Sequence, residues 1–332
     1  MKKKILFIVN PISGTGNKMG LYDTIRKTLD QERFDLNMCH TKRAGHAEEM
    51  ARKAAQEGFD IVVAVGGDGT VNEVARSVVH TPTALGIVPC GSGNGLARHL
   101  DIPLDAAGAL RVINHATVHT LDYGKIDGRP FFCTCGMGFD AFISKEFSEA
   151  GRRGLSTYVE KALLEGLKYK PQTYSIENED GTLHYEAYLI ACANASQYGN
   201  NAFIAPQASM KDGLLDVIVM EPFNKLMAPQ IAMQMFNKTL PRNSHIKTFT
   251  SRRLRITRPE EGPIHCDGDP FMAGKEIEVE IVPASFNVVV NPEARGRDKN
   301  FWQLASEDVV HWWQSRQEEI VRGGKVVRRL FK

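Results

Sequence analysis

Three glycines surround one aspartate at the end of an apolar run. Residues 60–65 read Asp-Ile-Val-Val-Ala-Val and lead directly into Gly66-Gly67-Asp68-Gly69-Thr70. Glycine permits positive φ and lets a phosphate approach backbone N–H groups, whereas a carboxylate beside a phosphate needs a divalent cation between them. The pattern therefore predicts a nucleotide–metal site, although Gly-Gly-Asp-Gly could also form a plain tight turn.

Two further apolar runs end in loops that are rich in glycine and hydrogen-bonding side chains. Residues 5–9 lead into the loop 10–17, and residues 84–88 lead into the loop 89–95. The carboxyl ends of parallel strands meet at one edge of a sheet, where α/β proteins bind ligands, so the three loops can converge. None of them has the spacing of a P-loop or of the G-x-G-x-x-G dinucleotide motif.

The elements that would position these loops change character near residue 121. Before it, strand-like runs alternate with helical patterns, which predicts a doubly wound parallel α/β domain over residues 1–122. After it, short alternating runs predict an antiparallel β-sandwich-like domain over residues 123–285, interrupted by a helical stretch around residues 156–169. A strand near residues 286–295 is expected to return to the first domain.

Composition excludes several classes of protein. A chain of 332 residues can hold two domains, and a formal net charge of +2 argues against a nucleic-acid-binding protein. Residues 1–4 precede a short apolar strand with no cleavage site, so we expect a cytoplasmic protein. The cysteines are scattered and expected to be reduced. Cys133 and Cys135 are expected to be alternating core positions of a strand rather than half of a metal site.

The loops, in their order and spacing, resemble the nucleotide-binding motifs of the diacylglycerol kinase catalytic domain family, which includes bacterial soluble lipid kinases, sphingosine kinases and ceramide kinases. The likeness continues through residues 136–140, 211–216 and 266–270 and spans about residues 3–291. It implies an NAD kinase/diacylglycerol kinase-like nucleotide domain and a β-sandwich domain, with ATP in the cleft between them.

The resemblance also implies which residues line the nucleotide, with Asp68 acting through Mg²⁺. They are Asn10, Pro11, Ile12, Ser13, Gly14, Thr41, Gly66, Gly67, Asp68, Gly69, Thr70, Asn72, Glu73, Gly91, Ser92 and Asn94. Judged by the residues alone, Thr41 could be an ordinary hydroxyl at the end of a strand. Asn72 and Glu73 could equally be first-turn residues that favour the positive end of a helix dipole.

The acceptor of the alcohol proton is implied in the second half of the chain. Asp267-Gly268-Asp269 matches the family's Asp-Gly-Glu, which assigns the base to Asp267 and leaves Asp269 as the alternative. Asp269 stands where glutamate is usual, and its side chain reaches about 1.5 Å less far. Without the other motifs, an acidic hairpin turn would be an equal interpretation.

A structural Mg²⁺ site is implied near residue 212. In bacterial relatives one aspartate and nearby main-chain oxygens hold the ion, and Asp212 with the carbonyl groups of Ser209 and Leu214 occupies the matching places. Hard cations take such oxygen ligands. Relatives often carry lysine at the position of Ser209, and Asp212-Gly213 could also be a plain hairpin turn.

A carboxyl-terminal extension, residues 296–332, combines apolar pairs at roughly helical spacing with all three tryptophans and several basic residues. Tryptophan beside basic residues suits a membrane interface. The extension could instead pack on its own domain or on a second copy of the chain in a homodimer.

The leading hypothesis is an ATP- and Mg²⁺-dependent lipid kinase that acts on a diacylglycerol-like lipid at the membrane surface. Residues 91–97 resemble the sphingosine kinase version of their loop, so a sphingoid-base kinase is an alternative. Two others remain open: a kinase with a soluble substrate, as in NAD kinase or phosphofructokinase, and a non-catalytic nucleotide or lipid sensor, suggested by Asp269.

Overall fold

The computed structural model describes residues 2–13, 18–149 and 169–292. Strands and helices alternate in the first part of the chain. The strands are β1 (Lys3–Val9), β2 (Phe34–His40), β3 (Ile61–Gly66) and β4 (Ala84–Pro89). The helices are α1 (Lys18–Thr28), α2 (His46–Gln56), α3 (Asp68–Val78), α4 (Gly95–His99) and α5 (Ala106–His115). β3 and β4 are buried along their whole length, as expected of parallel strands covered on both faces.

The parallel strands bring the three glycine-rich loops to one sheet edge. β2, β1, β3 and β4 are neighbours in that order and pair in parallel, with Ile5 opposite Ile61 and Ile61 opposite Ala84. Their carboxyl ends at Val9, Gly66 and Pro89 therefore lie side by side. The loops that follow these three residues share the edge at which α/β sheets bind ligands.

The second part of the chain is mostly antiparallel. It contains β5 (Val118–Ile126), β6 (Arg129–Phe131), β7 (Thr134–Gly138), β8 (Gln172–Asn178), β9 (Gly181–Ala187), β10 (Leu189–Ala193), β11 (Leu215–Met220), β12 (Ile246–Ser251), β13 (Arg253–Thr257), β14 (Gly262–Cys266), β15 (Asp269–Ala273) and β16 (Glu276–Val289). Helices α6 (Phe139–Glu149) and α7 (Ala228–Phe236) and the 3-10 turns Lys225–Met227 and Leu240–Arg242 complete the described elements.

The strands form two sheets. In the larger sheet, β16 joins the parallel strands of the first part of the chain to the antiparallel strands of the second part. β16 pairs antiparallel with β13 and β5 and then, at Asn287 and Val288, parallel with β4. The second sheet has the antiparallel order β12-β11-β10-β7-β14-β15. This arrangement confirms the predicted fold class, a parallel α/β sheet followed by an antiparallel sandwich.

Three apolar clusters hold these layers together. One lies around the parallel sheet, where α2 contributes the buried stripe Ala47, Ala51 and Ala54. A second fills the space between the two sheets and includes Cys135, Cys192 and Cys266. The third covers the outer face of the six-stranded sheet beneath α7. Cys133 and Cys135 are both buried, as predicted for core residues, but Cys133 lies just before β7 rather than on it.

Several predictions lie outside the described residues. They are Gly14, most of the helical stretch 156–169 and the whole extension 296–332. None of the helices in the described ranges is long and apolar enough to cross a bilayer.

Candidate active site

The Asp68 carboxylate joins two of the three glycine-rich loops. Asp68 begins α3 directly after Gly67, whose backbone is extended. The backbone N–H of Asn94 donates to Asp68 Oδ2 over 2.8 Å, and that of Gly95 donates to Oδ1 over 2.7 Å. Hydrogen bonds to an ionised acceptor are roughly twice as strong as neutral ones. Asp68 therefore determines how the loop after β4 is placed beside the loop after β3.

Glycine is required where these two loops touch. A Cβ on Gly91 would lie 2.7 Å from the Cα of Gly67, and a Cβ on Gly93 would lie 2.8 Å from Asp68 Oδ2. Contacts that short do not occur for real side chains, so a substitution would push the loops apart. The sequence motif thus encodes a close backbone approach, which leaves backbone N–H groups unobstructed by side chains.

The loop after β1 is attached to the same edge through Asn10. Asn10 Nδ2 donates to Thr70 Oγ1 over 3.1 Å, and the Asn10 backbone N–H donates to the Val65 carbonyl over 3.0 Å. Asn10 also shapes its own loop, because its side-chain oxygen accepts from the N–H of Ile12 and its carbonyl accepts from the Ser13 hydroxyl. Pro11 and Ile12 are exposed.

Glu73 contacts the start of α2, which neither interpretation of the sequence predicted. Its two carboxylate oxygens accept from the N–H groups of Gly45 and Ala47, over 2.9 and 3.0 Å, at the start of α2. Glu73 therefore stabilises the amino-terminal end of a neighbouring helix rather than of its own. Asn72 is buried. Thr41 is also buried, and its N–H donates to the Val9 carbonyl over 3.0 Å.

The two candidate proton acceptors lie at the hairpin between β14 and β15. Asp267 is in its two-residue loop, and Asp269 is the first residue of β15. Asp267 and Gly268 have φ of +48° and +86°, which is the geometry of a type I′ turn. The Asp267 carboxylate accepts from three backbone N–H groups, those of Phe132 (2.8 Å), Cys133 (2.7 Å) and Thr134 (3.0 Å). Burial raises the pKa of Asp267, and these three hydrogen bonds oppose the shift. Asp267 thus attaches the hairpin to the segment before β7.

Asp269 is the more open of the two carboxylates. Its side chain is 71 % exposed, and its Oδ2 lies 3.9 Å from Nη2 of Arg76 on α3. Partial desolvation by the nearby protein raises the pKa of its carboxyl group, whereas the Arg76 charge lowers it. Since α3 begins at Asp68, this contact places the hairpin beside the helix that carries the glycine-rich loop.

A buried polar chain supports the hairpin from behind. The Gly268 N–H donates to His265 Nδ1 over 3.3 Å, which leaves the imidazole proton on Nε2. Nε2 then lies 3.1 Å from Asp140 Oδ2, and the Tyr198 hydroxyl donates to the same oxygen over 3.0 Å. His265 and Asp140 are almost completely buried. Buried polar chains of this kind determine side-chain orientation when all members have partners.

The loop after β4 also contacts the second half of the chain. The Asn200 N–H donates to the Gly93 carbonyl over 3.0 Å, and the Ser196 N–H donates to His99 Nδ1 over 3.1 Å. Burial lowers the pKa of His99 to about 4, so the imidazole stays neutral and can accept this bond. The glycine-rich loop is therefore held from both sides of the cleft.

The turn at Asp212 contains the residues for which the resemblance implies a structural Mg²⁺ site. The Leu214 N–H donates to Asp212 Oδ1 over 3.1 Å, and the Lys211 N–H donates to the Ser209 hydroxyl over 3.3 Å. Burial and the nearby Asp212 charge raise the pKa of Asp216 to about 6, so a cation here would relieve an unfavourable pair of carboxylates. Within the described ranges there is no group of three or more His, Cys, Asp or Glu side chains that could hold a metal.

Sequence reasoning missed three residues: Arg76 beside Asp269, and Asp122 and Asp216 at the turn around Asp212. Arg76 lies eight residues after Asp68 on α3, and no spacing within the helix singles it out. Asp216 belongs to the 211–216 motif but was not singled out. Asp122 holds the same turn from β5, because its carboxylate accepts from the N–H groups of Gly213 and Ala284. No local pattern marks Asp122.

Two protein families match the two parts of the chain. Residues 4–126 match the diacylglycerol kinase catalytic domain, and residues 133–290 match the YegS C-terminal NAD kinase beta sandwich-like domain. The chain belongs to the diacylglycerol kinase catalytic domain family. This diacylglycerol kinase family protein is accordingly an enzyme of a lipid kinase family, and the resemblance inferred from its motifs is confirmed.

Individual relatives of this family member cover most of its length. It is 29% identical over 281 residues to a probable lipid kinase YegS-like protein of Pectobacterium atrosepticum, covering 82% of this chain and 92% of the relative. A diacylglycerol kinase structure from Bacillus anthracis has a TM-score of 0.67 at 22% identity and covers 87% of this chain and 97% of that one. An NAD kinase structure from Archaeoglobus fulgidus has a TM-score of 0.50 at 12% identity, covering 87% of this chain and 94% of that one. The two structures show a shared fold.

Proposed function

We propose that this protein transfers the γ-phosphoryl group of ATP, with Mg²⁺, to a hydroxyl group of a lipid such as diacylglycerol. The observation that carries the proposal is the contact between Arg76 and Asp269. It places the carboxylate of the second sheet beside α3, whose first residue joins the glycine-rich loops. A nucleotide bound at the loops and a proton acceptor at Asp269 would then lie close to each other.

The glycine-rich loops would bind the nucleotide phosphates. Their backbone N–H groups and the positive end of α3 favour negative charge at this edge. Each Asp68 oxygen accepts one N–H and keeps a further lone pair, so Asp68 could also hold Mg²⁺ beside the phosphates. A bound Mg²⁺ would neutralise charge that develops on the transferring phosphoryl group. A second, structural Mg²⁺ would be held by Asp212 and the carbonyl groups of Ser209 and Leu214.

Asp269 is the better candidate for the proton acceptor. Its carboxylate is open to the cleft, whereas the Asp267 carboxylate accepts three backbone hydrogen bonds and would have to give up part of them. Asp269 would take the proton of the lipid hydroxyl as the hydroxyl oxygen attacks the γ-phosphorus and ADP leaves. The aspartate in place of the family's glutamate then keeps the role through its contact with Arg76. Asp267 remains the alternative.

The experiment is phosphoryl transfer from radiolabelled ATP to a panel of acceptors in mixed micelles. The panel contains diacylglycerol, a sphingoid base and ceramide, with NAD⁺ as a soluble acceptor. Labelled phosphatidic acid is the expected product. A labelled sphingoid base or NAD⁺ would move the substrate to that class, and ATP binding without transfer to any acceptor would support a non-catalytic sensor.

A further inference from the structure

An apolar stripe lies exposed along α7 and the 3-10 turn before it. Leu226 is 87 % exposed and Met233 is 50 % exposed, and Pro229 between them is also exposed. These three residues recur at intervals of three and four, which places them on one side of the helix. The opposite side is anchored, because Ile231 is buried in the cluster on the outer face of the six-stranded sheet. We call Leu226, Pro229 and Met233 the α7 surface.

The chain around the α7 surface carries positive charge only. Residues 222–259 contain no aspartate or glutamate. The basic residues of this segment nearest to α7 in sequence are Lys225, Lys238, Arg242 and Lys247. Of these, Lys247 also contacts Glu221, which lies just before the segment, over 3.3 Å. The apolar stripe is thus flanked by cations at both ends of the helix.

The α7 surface is one loop away from the nucleotide site. The Phe203 N–H donates to the Met235 carbonyl over 3.1 Å, and Lys238 Nζ lies 4.9 Å from the centre of the Phe203 ring. Phe203 closes the short loop that contains Asn200, and Asn200 donates to the Gly93 carbonyl. A surface that docks on α7 would therefore lie one short loop away from the glycine-rich loop after β4.

We propose that the α7 surface docks this protein on an anionic lipid bilayer, with Leu226 and Met233 inserted among the acyl chains and the flanking cations at the head groups. The inference rests on the proposed lipid substrate. Exposed apolar side chains beside basic ones suit this partner, because the apolar groups leave water while each cation adds roughly fivefold to binding at an anionic surface. A second copy of this chain would bring the same positive charge to the contact, which disfavours self-association through this face.

The test measures binding of the full chain to vesicles, without ATP or substrate. Vesicles of phosphatidylcholine alone and of phosphatidylcholine mixed with phosphatidylglycerol are sedimented with the unchanged protein, with the double variant Leu226→Gln/Met233→Gln and with the control Leu183→Gln. Leu183 is an exposed leucine on β9, so it matches the chemistry but not the location. Thermal unfolding and the mass in solution of each protein are recorded in parallel.

We expect the unchanged protein and the Leu183→Gln control to bind the anionic vesicles, and added salt to weaken that binding. The double variant should bind them at least about tenfold more weakly, at an unchanged unfolding temperature. Both variants should phosphorylate a short-chain soluble diacylglycerol at the normal rate, so failure of the docking proposal is separable from failure of the proposed activity. Equal vesicle binding by the double variant would overturn the proposal. So would a loss of dimer mass in the double variant at unchanged vesicle binding, which would make α7 a contact between two copies.

Discussion

Arg76 Nη2 lies 3.9 Å from Asp269 Oδ2, so α3 of the parallel sheet and the β14–β15 hairpin of the second sheet meet as an ion pair. The Arg76 Nε is buried, and among the described residues it has no hydrogen-bond partner. Arg76 thus reaches from the helix that begins at the nucleotide loops to the candidate proton acceptor.

Replacing Arg76 with glutamine should move the acidic limb of the rate–pH profile to higher pH. Asp269 must be ionised to accept a proton, and the Arg76 charge favours the ionised form by lowering its pKa. Partial desolvation and the charges of Glu73 and Asp68 raise that pKa. Because the Asp269 side chain is largely exposed, solvent screens the Arg76 charge and the shift should be small. Turnover measured from pH 5 upward checks this, with Arg76→Lys as the control that keeps the charge.

Asp269→Asn and Asp267→Asn should have different consequences. Asp269→Asn should lower turnover by about 10²–10⁴-fold and leave the unfolding temperature unchanged, because it removes only the proton acceptor. Asp267→Asn should lower the free energy of unfolding by roughly 1–3 kcal/mol, since an amide cannot accept all three backbone N–H groups. Thermal unfolding and kinetics on the same samples check both. A stable Asp267→Asn protein with no turnover would return the acceptor role to Asp267.

Asp68→Ala should abolish phosphoryl transfer and weaken ATP binding. The change leaves the N–H groups of Asn94 and Gly95 without their acceptor, at about 1.5–3 kcal/mol for each hydrogen bond to a charged group. Asp68→Asn keeps one acceptor oxygen and should be milder for ATP binding. Isothermal titration with ATP and Mg²⁺, combined with turnover, checks both variants. Near-normal turnover by Asp68→Ala would exclude a role for this carboxylate.

His265→Ala should lower kcat more than it changes KM for ATP. His265 accepts from the N–H of Gly268, and Asp140 orients the imidazole ring, so the pair positions the hairpin rather than the nucleotide. His265→Asn offers a side-chain oxygen to the same N–H and should recover part of kcat. Steady-state kinetics at varied ATP separate the two parameters. If KM for ATP rises while kcat is unchanged, the hydrogen bonds that link Tyr198, Asp140, His265 and Gly268 support nucleotide binding instead.

Stability should fall as the pH drops below about 6.5, in part because of His99. Burial lowers its pKa from about 6.5 in the unfolded chain to about 4 in the folded protein. As the pH falls from 6.5 to 4, the unfolded chain therefore binds a proton that the folded protein does not, and this favours unfolding. The loss is complete below pH 4 and amounts to as much as about 3 kcal/mol. Urea unfolding of the unchanged protein and of His99→Gln across this range checks it. The variant should lose less stability on acidification than the unchanged protein does.

Local patterns in the sequence were enough to predict the framework of this protein. The apolar run of β3 and the glycines around Asp68 indicated a buried parallel strand that ends in a backbone-exposing turn, and both features depend on neighbouring residues only. A hairpin turn at Asp267-Gly268 was one of two interpretations of the sequence, and the structure contains it, because this residue pair tolerates positive φ at two successive positions. The burial of Cys133 and Cys135 was predicted, but not by the right pattern: Cys133 lies just before β7, and β7 is buried along its whole length.

Only the tertiary structure shows which groups each carboxylate contacts. The family resemblance implies Asp267 as the base, and the structure places its oxygens on the N–H groups of residues more than a hundred positions earlier in the chain, such as Cys133. Glu73 stabilises α2, and Arg76 faces Asp269, although no spacing within α3 distinguishes these two roles. Strand and helix formation follow from periodicity and turn chemistry, which are local. Hydrogen-bond partners and charge contacts depend on how the two sheets pack together, and that packing brings together segments far apart in the chain.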